Sequence, residues 1–217
     1  MVFWPSIAEN LLRNRLYQLP AYKRNAAAFG LEGAYIPLCV CSTGGFAVDN
    51  QIDHIEIHTA GDTSLLAKQY MQATQNATMH QLLFPLLEAV ADFFVSRINL
   101  TNSTAGECEI KTVIGADEEN GVYDNDVFTN AVAIQALETA IEVAEQLGRR
   151  VDSRWRDTAR RIRIPFFEDG NPSSASAGGG ALHREFDSYR GNRIGQGDTV
   201  RPVCDALLRS LSARSEI

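Results

Sequence analysis

The chain has 217 residues, 45% of them hydrophobic and 22% charged, the make-up of one globular domain able to bury a sizeable core. A formal net charge of −7 argues against nucleic acid as a partner. No apolar run reaches membrane-span length, and Met1-Val2-Phe3-Trp4-Pro5 lacks the basic flank and apolar core of a signal peptide, so no membrane partner is expected.

In chain order the pattern is helix after helix. Residues 6–17 and 20–29 read as two helices separated at Leu19-Pro20, because proline disfavours a helical residue before it, with Gly30 as the stop. The period of residues 50–75 is helical, as is that of 85–98, where Pro85 suits a first turn. Residues 107–114 partly alternate polar and apolar and predict a short strand. From Val127 the period changes: Val127, Ala131, Ile134, Leu137, Ile141 and Ala144 line one helical face, which Gly148 can close. Asp124, Asn125 and Asp126 offer N-cap oxygens for that helix. A shorter helix follows at 152–162, ending before Pro165. Glycine-rich residues 168–197 predict a long loop, and 199–213 a last helix. The expected fold is all-α.

Between the predicted strand and the 127–147 helix lies Gly115-Ala116-Asp117-Glu118. Carboxylates held on a loop between rigid elements are what acid–base chemistry requires, and a solvated acidic turn would read the same way. His54 and His58 stand four apart beside Asp53, Glu56 and Asp62, but the glutamate offset does not fit the zinc-protease pattern. Cys39, Cys41, Cys108 and Cys204 lack zinc spacing and read as ordinary thiols, so neither metal nor cofactor is expected. Arginines between 149 and 163 are interrupted by Asp152 and Asp157 and read as a solvated face. Gly178-Gly179-Gly180 has no following Lys-Ser or Lys-Thr and is no phosphate cradle. Three sequons, at Asn76, Asn99 and Asn102, leave a secretory route open beside a cytoplasmic default.

Gly-Ala-Asp-Glu at 115–118, followed by Asp124-Asn125-Asp126-Val127-Phe128-Thr129-Asn130, resembles the Gly-Pro-Asp-Glu-Tyr … Asn-Asn-x-x-Tyr-Thr-Asn signature of glycoside hydrolase family 65. Further segments are similar in the same order: Gly33-Ala34 with Pro37, Glu56-Ile57-His58 with Asp62, and Ala91-Asp92-Phe93-Phe94 with Arg97. They continue with Trp155, Ala159, Ile162 and Ile164-Pro165-Phe166, then His183-x-Glu185-Phe186-Asp187-x-Tyr189, then Gln196-Gly197-Asp198-Thr199-Val200. The family contains acid trehalases, disaccharide phosphorylases and the collagen glucosylgalactosyl-hydroxylysine glucosidase. The resemblance implies that residues 1–217 are one incomplete catalytic domain, part of an (α/α) barrel of helical hairpins of the six-hairpin glycosidase type. Missing parts of its own barrel, or a second copy, are then the expected protein partners.

The resemblance also implies an activity, cleavage of a terminal α-glucosyl unit with inversion. Glu118 falls at the general acid, and Asp117, Gln196, His58 and Asp62 fall on the substrate pocket. An acid working near neutral pH needs a raised pKa, so burial or a neighbouring charge is expected at Glu118. The residues that handle water or phosphate lie later in the family sequence than anything here. Hydrolysis is favoured by the 183–189 segment, and phosphorolysis or a non-catalytic sugar-binding remnant are the alternatives. Several positions depart from the family pattern: Ala116 for Pro, Glu119 for Tyr, Asn120 for His, Leu38 for Trp, Phe46 for a sugar-binding Glu and Gly195 for Lys.

Overall fold

A computed structural model describes residues 4–48, 51–99, 106–118 and 121–165. The predicted loop at 168–197, with Gln196 on it, and the helix at 199–213 lie outside the described residues. Among the described residues six helices occur in order: α1 (Pro5–Ala28), α2 (Gln51–Ile55), α3 (His58–Thr74), α4 (Ala77–Asn99), α5 (Val127–Gln146) and α6 (Ser153–Arg161). Among the described residues extended chain pairs only at single bridges: Val40 with Phe46, Val113 with Tyr123 and Cys108 with Ile162. The strand expected at 107–114 is therefore an extended segment that touches two different neighbours and builds no ladder.

Helix α5 is the centre. Fifteen of its twenty residues are buried, and α3, α4 and α6 pack around it. By length and composition α5 could cross a membrane, contrary to the expectation from sequence; its surface is instead covered by its neighbours, as in a soluble core helix. Gly61 of α3 faces it so closely that a Cβ would lie 2.6 Å from Val132 Cγ2, which sets the spacing of the two helices. Trp155 of α6 is buried and its indole Nε1 donates to Asp92 Oδ1 of α4 at 2.8 Å. The α6 arginines form exposed ion pairs, Arg154 with Glu32 and Asp152, Arg156 with Glu145 and Arg161 with Asp157.

Three helix boundaries differ from the sequence expectation. Pro20 lies inside α1 rather than between two helices. It sits on the exposed side, so the carbonyl that loses its partner can be hydrated. Buried Gln18 and Tyr22 meanwhile pin the helix across the break: Gln18 Nε2 donates to the carbonyls of Cys41 and Ser42, and Arg15 Nη1 donates to the Tyr22 hydroxyl at 2.8 Å. Pro85 is likewise interior and exposed, in a helix that starts at Ala77 because Asn76 Oδ1 caps it by accepting from Met79 N at 3.2 Å. The expected 50–75 helix breaks at Glu56-Ile57, where the amide of Ile114 takes the carbonyl of Ile55 that a continuous helix would use. Gly30 does stop α1, at φ +69°.

Candidate active site

The break between α2 and α3 places His58 at the start of α3, with a carboxylate on each ring nitrogen. Nδ1 lies 2.8 Å from Asp62 Oδ2, and Nε2 lies 2.9 Å from Glu56 Oε1. Glu56 and His58 are buried, whereas the Asp62 side chain is 38% exposed. Burial works against charge on His58, but the hydrogen bonds its ring donates to Asp62 and Glu56 outweigh it and raise its pKa to about 9. The ring also meets Phe128 of α5 edge to face, with centroids 5.3 Å apart.

The segment carrying Asp117 and Glu118 is fastened from several sides. The amides of Val113 and Tyr123 donate to each other's carbonyls at 2.9 and 2.8 Å. Arg97 of α4 reaches across with Nη2 to the carbonyls of Lys111 and Thr112, at 2.5 and 3.3 Å. Each residue of the Asp-Asn-Asp triplet has a separate task. Asp124 Oδ1 accepts from Thr112 N at 2.9 Å, and buried Asn125 accepts from Ile110 N at 3.0 Å. Asn125 itself sits at φ +56°, a conformation asparagine tolerates. Asp126 is the N-cap of α5, accepting from Thr129 N at 2.6 Å.

Asp126 also explains the glycine that opens the acidic motif. A Cβ on Gly115 would lie 2.3 Å from Asp126 Oδ2, so only glycine lets the loop pass over this buried carboxylate. Burial raises the pKa of Asp126; its hydrogen bonds from Thr129 and the charge of His58 oppose that rise, and the charge of Asp117 adds to it. Asp126 thus feels the charges of both His58 and Asp117, and the Ile114 amide, donating to the Ile55 carbonyl at 3.3 Å, ties the base of the acidic loop to the α2–α3 break beside the Glu56–His58–Asp62 clamp.

Asp117 is half-buried and Glu118 is exposed, its backbone carbonyl accepting from Gly121 N at 3.2 Å. The burial expected for a general acid is therefore not present around Glu118 among the described residues. Cys39 is the unforeseen neighbour. Its amide donates to buried Asp53 at 3.2 Å, and its exposed thiol is pushed up by desolvation and by the charges of Asp53, Glu56 and Glu118. No spacing in the sequence links residues 39 and 118. Phe46, at the position of an expected sugar-binding carboxylate, packs edge-on against Phe29, Tyr35 and His54. The structure thus brings His58 and Asp62, at the start of α3, to Phe128 and Asp126 at the start of α5, where Asp126 feels the charge of Asp117.

The model of the glycosyl hydrolase family 65 central catalytic domain matches residues 2–171. A protein-glucosylgalactosylhydroxylysine glucosidase of Danio rerio is 34% identical over 203 residues, covering 92% of this chain and 29% of the relative. A kojibiose hydrolase of Mucilaginibacter mallensis is 33% identical over 201 residues, covering 91% of this chain and 28% of the relative. The chain therefore spans less than a third of the length of these relatives. A solved structure of a protein assigned as a kojibiose phosphorylase from the human microbiome superposes with a TM-score of 0.70 at 17% identity, over 83% of this chain and 27% of that one. With its helices arranged as part of an (α/α) barrel, this chain belongs to glycosyl hydrolase family 65.

Proposed function

We propose that the chain supplies the general acid and one wall of an inverting, α-glucoside-hydrolysing site, with Glu118 as the acid. The observation that carries the reading is the fastening of the acidic loop. Gly115 rides on Asp126, Arg97 holds the carbonyls of residues 111 and 112, and the Val113–Tyr123 bridge closes its base, while Glu118 remains accessible. A rigid base with an accessible carboxyl tip suits a group that must meet a glycosidic oxygen. The two relatives above carry hydrolase names, which supports hydrolysis over phosphorolysis.

In the proposed reaction the bond between the anomeric carbon and the glycosidic oxygen breaks as Glu118 transfers its proton to that oxygen. Water attacks the opposite face, and a second carboxylate, typically about 6.5–9.5 Å from the first, takes its proton. That second carboxylate is expected outside this chain. Glu118 gains the desolvation it lacks here when a bound glucoside and further parts of the barrel cover it, with the charge of Asp117 alongside. Asp62 is the exposed member of the His58 clamp, so it meets sugar hydroxyls while His58 holds it in place; Gln196 completes the glucosyl contacts.

The test uses the full-length parent with trehalose, kojibiose and glucosylgalactosyl-hydroxylysine, observing the first-formed sugar by proton NMR. Without added inorganic phosphate, glucosylgalactosyl-hydroxylysine, whose free glucose is only the transferred unit, is expected to release β-glucose first, and trehalose, whose leaving glucose keeps its α configuration, α- and β-glucose in equal amounts. First-formed α-glucose from glucosylgalactosyl-hydroxylysine, α-glucose alone from trehalose, or a glucose phosphate released only when phosphate is present would overturn inverting hydrolysis.

A further inference from the structure

Toward the opposite end of α3 and α5 a cavity of about 190 Å³ opens among Lys68, Gln72, Gln75, His80, Thr139 and Glu142. Along α3, His58 lies about 15 Å from Lys68 and about 25 Å from Gln75 at 1.5 Å per residue, so this cavity is distinct from the acidic loop. We propose that it binds a single neutral polyhydroxyl ring, a monosaccharide, as a site separate from the catalytic one.

The charge pattern selects the ligand class. Lys68 is buried and its Nζ lies 3.3 Å from Glu142 Oε2, so the cavity carries both signs side by side. An anion attracted by the ammonium is opposed by the carboxylate, and a cation meets the reverse. A hydroxyl suits both, because it accepts from the one and donates to the other. Three glutamines add amide donors and acceptors around the rim. His80 contributes a further reason for a polar occupant: its Nε2 is buried and has no hydrogen-bond partner. Met71 and Val143 are buried on the apolar side, a surface for the C–H face of a pyranose. Thr139 is held by the α5 backbone, its Oγ1 donating to the Gln135 carbonyl at 2.7 Å, so the wall is fixed beforehand. The volume lies below the range of about 300–1,000 Å³ usual for larger ligands, which limits the occupant to one ring.

The inference stands apart from the assignment of Glu118, since no residue of the acidic loop lines the cavity. Its test is an NMR titration of the full chain with glucose, reading the His80 imidazole and the side-chain amides of Gln72, Gln75 and Gln146. Saturable shifts of these signals are expected. Lys68→Met should weaken the response at least tenfold and Gln72→Ala, on the exposed rim, about threefold. Should Lys68→Met not fold, Gln72→Ala decides alone. Glucose leaving these signals unmoved, an equal response to inorganic phosphate, or Gln72→Ala matching wild type would overturn the proposal, whatever happens at Glu118.

Discussion

His58 and Asp126 occupy neighbouring buried positions and carry opposite demands. The clamp of Asp62 and Glu56 keeps the imidazole protonated, with its pKa raised to about 9. Because the folded-state value lies above the unfolded one of about 6.5, the stabilisation is complete below about pH 6.5 and is lost as pH rises through 9. Thermal melts of wild type and His58→Gln across pH 6–10 should show a gap on the order of 2–3 kcal/mol at the acid end that closes toward pH 10. A gap independent of pH would remove the charged clamp. Gly115 and Asp126 give a second residue-scale prediction. Gly115→Ala should cost about 1–3 kcal/mol, because its methyl group displaces the carboxylate that caps α5. In an Asp126→Ala background, itself about 1 kcal/mol less stable, the same change should cost much less. Additive losses in denaturant melts would show that the two residues do not meet.

At the scale of elements, α1 and α4 each keep a proline in their interior, and both prolines are exposed. Burial on the opposite sides holds the helices together: Leu12, Tyr22 and Ala26 in α1, and Leu83, Phe84, Leu87, Val90 and Phe94 in α4. Pro20→Ala and Pro85→Ala should each stabilise the chain by about 1–2 kcal/mol, the recovered helical hydrogen bond being partly offset by a freer unfolded chain. Chemical denaturation checks this, and destabilisation by both would mean that the prolines are packed against neighbours. Periodicity found α5 and α6 nearly to the residue, because their caps, Asp126 and Asp152, are local signals. Proline as a helix breaker is equally local, and at Pro20 and Pro85 tertiary packing won. The α2–α3 break had no local signal either, since its cause is the Ile114 amide some sixty residues away. In the site, Asp117, Glu118, His58 and Asp62 were readable as a motif series. The hydrogen bond from the Cys39 amide to Asp53 and the turning of Phe46 into an aromatic cluster depend on chain folding and were not.

The whole molecule shows a core gathered around α5 and an uncovered apolar line on α1. Trp4, Ile7 and Leu11 are 66%, 66% and 42% exposed and stand three and four apart, one face of a helix. Apolar stripes of this kind associate in water. Sedimentation of the 217-residue chain should therefore show concentration-dependent self-association that the pair Ile7→Lys and Leu11→Lys reduces. A monomer at all concentrations would mean that the stripe is tolerated in solvent.

The most direct measurement concerns Glu118. In the full-length parent, Glu118→Gln should fold as wild type by circular dichroism yet lose about 10²–10⁴-fold in turnover of trehalose, kojibiose or glucosylgalactosyl-hydroxylysine. Glutamine keeps the shape of the side chain and has no proton to give to the glycosidic oxygen. An activated aryl glucoside, whose leaving group needs little protonation, should lose far less. Unchanged turnover of all three natural glucosides, with the variant correctly folded, would contradict the assignment of Glu118 as the acid.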